Sequence, residues 1–555
     1  MKKLLSLLAV FLLSYFAVRP LLAPGYFPMH DDTQVSRVIE MGRALKEGQF
    51  PVRWVADLGY GYGYPIFNFY APLPYYVGGL FYALGVPALT ATKVMFGIGV
   101  ILPSLLMYAV LYPVVGEWSA IAASLLYLYA PYHAVEVYVR GAVGEYWILL
   151  FWPLILYALL WSHDITRRKR AVTLGTIGLA GSVMSHTLMG YVTMLFLFLG
   201  LGIWWTVRFF RKRVDAEELQ THVRWFVLGL GLSAFFWLPA ITEMQYTNVA
   251  AQVGSTANYR DHFVCLIQLW SSAWGFGGSA PGCANDGLSF MLGKLHIIAA
   301  AIGFLGYILI GKKSISRVYV VVALVVSVLG IVFTLPISGP LWHMLPMFSY
   351  LQYPWRFLSL AAFGLSLLGA LVVACVDDAR GKIAVAVVIV VGVMVVNAKW
   401  FMPQYQYIKD SRSFETADDI EWRASKISDE YLPENISRPM NASEVVSATI
   451  RSDHQVTVTS VVSTAVEKQL IVESTTAATL TINTASFPGW IYRVNDKEVH
   501  PAVIHGLPQL DVGPGQSVIV IKFTDTPIRT IGNLASVATL VFIILTYGKK
   551  RKTNR

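Results

Sequence analysis

Runs of about twenty apolar residues recur along this chain, and no other feature narrows its fold so far. A helix crossing the hydrocarbon core of a bilayer needs roughly 20 such residues. The runs repeat from residue 4 to residue 400, with one more at 529–547. Composition agrees with that reading: hydrophobic residues make up 55% of the chain and charged residues 14%, at a mean hydropathy of +0.56, whereas soluble domains carry roughly 25% charged residues. The chain reads as a polytopic α-helical membrane protein. Its opening segment, KKLLSLLAVFLLSYFAVRPLLAPG, reads as an uncleaved first helix and not as a signal peptide, because its apolar run is long and no small-x-small cleavage site follows cleanly.

The formal net charge is +10, yet the bases are not arranged for nucleic acid. They gather in short loops: RRKR at 167–170, RFFRKR at 208–213, KKSISR at 312–317, RGK at 380–382 and KKRKTNR at 549–555. That is the positive-inside pattern of a membrane protein. Placing every basic loop on the cytoplasmic side gives about 12 transmembrane helices, near 4–22, 93–112, 118–134, 145–162, 171–185, 188–208, 223–240, 291–311, 317–335, 356–376, 382–399 and 529–547. The alternation closes only if the Pro-, Gly- and Tyr-bearing stretch 72–89 is interfacial or re-entrant. The expectation is a multi-pass protein of the cytoplasmic (plasma) membrane with both termini inside. The segments 23–92, 135–144, the tip near 186, 241–290, 336–355 and 400–528 then face outward.

Nearly all the unusual polar residues fall in those outer segments. Asp31 and Asp32 follow the first helix. One reading makes them a helix cap, with Asp31 and Gln34 at capping-box spacing ahead of an apolar stripe. Capping uses one acid, and a second carboxylate beside His30 near the bilayer surface is costly without a ligand or partner. The loop 50–76 is rich in tyrosine and has Gly59, Gly61 and Gly63, which suits either an interfacial aromatic belt or a surface for sugar rings and lipid tails. Arg140 and Glu145 end two consecutive helices: they form an ion pair that staples the turn, or Arg140 meets a phosphate. His186 is a packing residue or a hydrogen-bonding group on the same side as the acids. The loop 241–290 carries Glu243, the trio Arg260, Asp261 and His262, and Cys265 and Cys283, 18 residues apart and able to pair in an oxidising compartment. Tyr353, Trp355 and Arg356 stand where a helix re-enters the bilayer, as an anchor with a snorkelling arginine or as a cation for an anionic lipid-linked substrate. Three cysteines without a CxxC offer no zinc framework.

Residues 400–528 change character. β-branched alternation appears in EVVSATI, HQVTVTSVV, KQLIVES, ATLTINTA and QSVIVIKF, separated by turn signals such as FPGW and VGPGQ. This predicts a small extracytoplasmic β-sandwich tethered at both ends, which binds or shields and does not catalyse. The domains expected are therefore 1–399, 400–528, and 529–555 as a final helix with a basic tail. The sequons at Asn435 and Asn441 are weak signals.

The first helix, the acid pair opening an outer loop, the polytopic bundle and the terminal β-domain together resemble the GT-C superfamily of membrane glycosyltransferases. More narrowly, HDDTQ, RGAVGE, SHT, QYPWRFL and SFPGWIYRVNDKEV resemble the YfhO-like group, which includes bacterial membrane proteins labelled 6-pyruvoyl-tetrahydropterin-synthase-related. The resemblance covers nearly the whole chain. It implies a GT-C-like bundle and transfer of a sugar, by an inverting mechanism, from a polyprenyl-phosphate-linked donor to a glycan, lipid or protein acceptor of the cell envelope. The catalytic acid it implies is Asp31 or Asp32. Around the substrate or its phosphate it would set His30, Arg140, Glu145, His186, Glu243, Arg260, His262, Tyr353, Trp355 and Arg356. The superfamily's second acid, where present, follows the third span; here that loop offers Glu145 beside Arg140 and no Asp, so no cofactor is fixed and a divalent cation (Mg or Mn) stays an open alternative. The pterin label gains no support, since a synthase of that kind wants a His-rich zinc site. Two other classes stay open: a lipid or glycan transporter, and a non-catalytic factor that binds lipid-linked glycan.

Overall fold

A computed structural model of the chain describes residues 2–249, 258–311, 314–345, 347–433, 436–445 and 448–547. Asn435, the two lysines of 312–317 and the basic tail 549–555 lie outside the described residues. All twelve apolar runs are helical. Seven helices are long and apolar enough to cross a membrane: Ala88–Val115, Val143–Trp161, Thr187–Phe210, Arg317–Thr334, Pro354–Ala374, Ala379–Trp400 and Pro527–Tyr547. Two bent pairs bring the number to nine, and Lys294–Ile310 is apolar but shorter.

The bends have local causes. Lys3–Leu13 and Tyr15–Leu22 meet at 51°, and Ala216–Leu232 meets Ala234–Tyr246 at 65°. Each break holds a serine whose hydroxyl donates back into the preceding turn: Ser14 to the Phe11 carbonyl at 2.5 Å and Ser233 to the Gly229 carbonyl at 2.9 Å. Such back-bonding competes with the helical ladder and bends it. The run expected as one helix over 118–134 is also broken. Glu117–Leu128 stops before Ala130-Pro131, where proline disfavours a helical preceding residue, and the chain continues through Pro131–Ala134 into a π-helical turn, Val135–Arg140.

Val143–Trp161 and Pro354–Ala374 are sheathed by the other helices, with 94% and 89% of their central windows buried. Glu145 and Arg356 each sit in the first turn of one of them, so the two best-enclosed helices deliver one acid and one base to the same end of the bundle.

Nine strands follow: β1 Ile450–Ser452, β2 Val456–Ser463, β3 Glu467–Ser474, β4 Ala478–Ile482, β5 Trp490–Val494, β6 Lys497–Val499, β7 Ala502–Ile504, β8 Leu507–Val512 and β9 Gly515–Phe523. They form two antiparallel sheets, β1-β4-β8-β7 and β2-β3-β9-β5-β6. Alternate residues turn inward, as with Leu470 and Val472 in β3 and Ile519 and Ile521 in β9. Of EVVSATI, expected as a full strand, Val446 and Ser447 lie outside the described residues, and among the others the strand begins at Ile450.

Residues 401–449 form no strand among those described. They lie against the loop after the first helix instead: Tyr26 and Tyr407 exchange backbone hydrogen bonds at 2.8 and 2.9 Å, and the Tyr64 hydroxyl accepts from the Tyr431 amide at 3.0 Å. The sheets rest on the same loop through Trp54, whose ring meets those of Phe487, Trp490 and Phe523 at 5.3 to 6.0 Å.

Candidate functional site

The short segment RGAVGE builds the site. Gly141 has φ +64°, and a Cβ there would lie 2.1 Å from the Met29 sulfur; only glycine lets residues 29–31 close onto this turn. The His30 amide then donates to the Val139 carbonyl at 3.1 Å and the Asp31 amide to the Arg140 carbonyl at 2.9 Å. Gly144 has the same function on the other side, since a Cβ would come within 2.5 Å of the Ser185 carbonyl. That close approach brings His186 beside Glu145.

Glu145, 3% exposed, is the hub. Arg140 holds it in a fork, Nη1 to Oε2 at 2.7 Å and Nη2 to Oε1 at 2.6 Å, and Arg356 Nε lies 3.0 Å from Oε1. His186 Nε2 is 3.8 Å from the same oxygen. The Met189 amide donates to His186 Nδ1 at 3.0 Å, so the ring proton sits on Nε2 and points toward the cavity side. Burial holds the His186 pKa down to about 4, which leaves the imidazole neutral. Glu136, beneath, accepts the Ser359 hydroxyl at 2.5 Å and is pushed up to about 8, chiefly by burial and also by the Glu145 charge. With Glu136 protonated, two guanidinium groups face one carboxylate, and this wall keeps an excess of one positive charge.

Glu145, His186 and Arg356 line a cavity of about 340 Å³. Asp31, Arg37 and Tyr70 line it as well, with Ser428, Glu430 and Tyr431 contributed by residues 401–449. The half-buried Asp31 engages its neighbours through its backbone, its carbonyl accepting from Gln34 Nε2 at 3.1 Å, and its side chain is left to the cavity. Helix Gln34–Lys46 begins after Thr33 with no side-chain cap, so the capping-box expectation is corrected: Gln34 turns inward, donating to the Gly141 carbonyl at 2.8 Å and accepting the Tyr75 hydroxyl at 2.6 Å.

Asp32 turns the other way, toward Lys409, Asp419 and Arg423, and does not line the cavity. Its pKa is raised to about 6, burial outweighing the two nearby cations. Arg140 lies behind Glu145, 4.4 Å beneath the Trp355 ring, and does not line the cavity either.

The remaining expected residues divide. Tyr353 stacks on Trp355 at 4.6 Å and meets the His262 ring at 4.9 Å, so an aromatic column runs outward from Arg140. His262 Nδ1 pairs with the Ser279 hydroxyl at 2.8 Å, and His30 Nε2 lies 3.0 Å from the Phe276 carbonyl; both fix the loop that carries the Cys265–Cys283 disulfide. Arg260 is exposed, its guanidinium 5.9 Å from the Tyr259 ring, away from the cavity. Glu243 is also elsewhere. It accepts from Arg529 Nε at 2.9 Å, Asn68 Nδ2 at 2.8 Å and the Thr526 hydroxyl at 2.7 Å, binding the helix 234–243 to the last one.

Arg37, Glu430 and Tyr431 carry no sequence signal that singles them out. Arg37 is 4% exposed, stands 4.1 Å over the Tyr70 ring and donates to Ser428 Oγ at 2.8 Å, while its Nε has no partner. Burial raises the Glu430 pKa.

Among the described residues no group of three or more His, Cys, Asp or Glu is placed to share a metal ion. The donor set at the cavity does not fit one, because the Glu145 oxygens are taken by arginines.

The fold and the cavity define a polytopic membrane protein with an acid and an arginine lining one cavity at one end of its helical bundle. It belongs to the family of membrane proteins described as 6-pyruvoyl-tetrahydropterin synthase related, whose profile matches residues 67–405. No curated protein matches the chain. Among solved structures, it is similar to the arabinofuranosyltransferase AftD from Mycobacteria, at 14% identity over 72% of this chain and 27% of that one, with a TM-score of 0.44. ArnT from Cupriavidus metallidurans, solved bound to undecaprenyl phosphate, is 14% identical over 68% of this chain and 77% of its own, with a TM-score of 0.31. This chain spans about a quarter of the length of AftD.

Proposed function

We propose that the protein is a membrane glycosyltransferase that moves a sugar from a polyprenyl-phosphate-linked donor to a hydroxyl of a cell-envelope acceptor, with the cavity on the outer face of the cytoplasmic membrane. The observation that supports this reading is that Asp31 and Arg356 line one cavity. In the reaction the acceptor oxygen bonds to the anomeric carbon, the bond from that carbon to the phosphate oxygen breaks, and the acceptor proton passes to the Asp31 carboxylate. One displacement inverts the anomeric centre. The phosphate departs with its charge, and the net positive wall of Arg356, backed by Arg140, stabilises it as it forms. His186 Nε2–H donates to a phosphate or sugar oxygen. Tyr70 and Tyr431 offer ring faces to a sugar, and Arg37 a further donor.

The test is transfer of label from a panel of radiolabelled polyprenyl-phosphate sugars to membrane extract by the purified protein in nanodiscs. Transfer by wild type that is lost in a folded Asp31→Asn variant and kept in Asp32→Asn supports the reading. A donor that binds wild type and Asp31→Asn equally and is never consumed overturns it in favour of a binding factor.

A further inference from the structure

A second cavity, of about 440 Å³, lies between Trp152–Trp161, Thr187–Phe210 and Arg317–Thr334. Its walls are aliphatic and aromatic for most of their length. One end reaches Met189 and Thr193, near the first turn that His186 caps; the other ends at His163, Trp204, Glu218 and His222. Thr187–Phe210 runs between the two ends, and its 24 residues rise roughly 36 Å, so the polar end is at the opposite side of the bundle from Asp31.

That polar end is incomplete. His222 is 4% exposed, and neither ring nitrogen has a hydrogen-bond partner. The neighbouring Trp205, its ring 5.7 Å away, also has an unpartnered Nε1–H. Buried polar groups left unsatisfied each cost about 1–3 kcal/mol, and one that lines the end of an apolar groove, with a second beside it, marks a place where an acceptor belongs. The charge of the surroundings selects the kind of acceptor. Residues 163–224 hold nine Lys and Arg against four Asp and Glu, and the Arg208 guanidinium, paired with Glu218 at 2.6 Å, lies 5.1 Å over the Trp205 ring.

We infer that this groove holds an acyl chain of one anionic phospholipid, whose phosphate accepts hydrogen bonds from His222 and Trp205 at the end of the bundle remote from Asp31. The site is separate from the transfer reaction and does not depend on it. A polyprenyl-phosphate donor would have its phosphate at the Asp31 end, so the two lipids approach the bundle from opposite sides.

Gly200 offers a clean block, since it lines the groove and a Cβ there meets nothing within 4 Å. The protein is placed in nanodiscs of equal phosphatidylglycerol and phosphatidylcholine, released into detergent and weighed by native mass spectrometry. Wild type is expected to retain one phosphatidylglycerol with about tenfold preference over phosphatidylcholine, whose phosphate can accept the same hydrogen bonds but whose choline cation meets the basic surroundings of the groove's polar end. Gly200→Trp is expected to lose the lipid, and His222→Leu to lower retention of both lipids by about tenfold, the size of one hydrogen bond to a charged group, while the preference between them stays. Equal retention of both lipids by wild type, or unchanged retention by a monodisperse Gly200→Trp, overturns the inference. Displacement of phosphatidylglycerol by equimolar polyprenyl phosphate overturns it as well, by giving the groove to the donor's tail.

Discussion

Asp31 and Asp32 are adjacent in the chain and face opposite sides of one turn: the first lines the cavity with Arg356, the second points at Lys409 and Arg423. General-base help is typically worth about 10²–10⁴-fold. Asp31→Asn should therefore lower kcat/KM for transfer by that factor, while Asp32→Asn stays within about threefold of wild type. Single-turnover kinetics on both variants decide the matter, and equal losses would show that the turn acts as a unit.

Asp32 has its effect on stability. Its folded pKa of about 6 lies above the 3.8 of an unperturbed Asp, so the folded protein holds this proton more tightly than the unfolded chain. The stability this provides is complete below pH 3.8 and is lost as the pH rises through 6. One pKa unit corresponds to about 1.4 kcal/mol. Asp32→Asn should thus stabilise the protein by up to ~3 kcal/mol at pH 7.5, with no gain at pH 3.5. Unfolding in detergent at the two pH values measures the difference.

His186 is neutral from pH 5 upward, because burial holds its pKa down to about 4. The rate profile of wild type should show no imidazole inflection between pH 5 and 8, although an ordinary histidine titrates there. His186→Ala should lower the rate about tenfold, the size of one hydrogen bond to a charged group, without changing the profile's shape.

Arg356 binds through geometry as well as charge. Its Nη1 donates to the Leu351 carbonyl at 2.8 Å while Nε faces Glu145, so the guanidinium plane is fixed. Arg356→Lys keeps the charge and loses the fork. Donor KM should rise about tenfold or more while the fold survives, which titration with donor and a melting curve together establish.

Glu243→Gln tests the role that replaces the substrate contact expected of this acid. It would leave the Arg529 guanidinium, 0% exposed, buried without its direct ion-pair partner, at a cost of roughly 3–5 kcal/mol. The variant should melt earlier and be cleaved by protease near residue 526, yet the fraction still folded should bind donor as wild type does.

Glu145, His186 and Arg356 could be read from the sequence because charged and imidazole side chains at the ends of apolar helices stand out against their surroundings. Their mutual contacts could not, since the pairing rests on backbone approaches at Gly141 and Gly144 that only the folded chain reveals. Glu243 had the same outward look and a different use, because its partner Arg529 lies 286 residues further on. Arg37 and Glu430 were hidden for the opposite reason: they occur in polar stretches where one more charge is unremarkable. The helical runs were legible from hydropathy alone, but the breaks at Ser14 and Ser233 depend on single hydroxyls. In the β-region, alternation marked β2, β3, β4 and β9, while β6 and β7 are only three residues long, too short to show a period.

The contact between Arg37 and Ser428 joins residues 391 apart. During synthesis Asp31 and Arg37 leave the ribosome among the first, whereas the residues that roof their cavity emerge only after eleven of the twelve apolar runs. A nascent chain therefore carries its acid through most of its own insertion with the chamber still unfinished. The cavity gains the last of its lining only when the segment around residue 430 arrives.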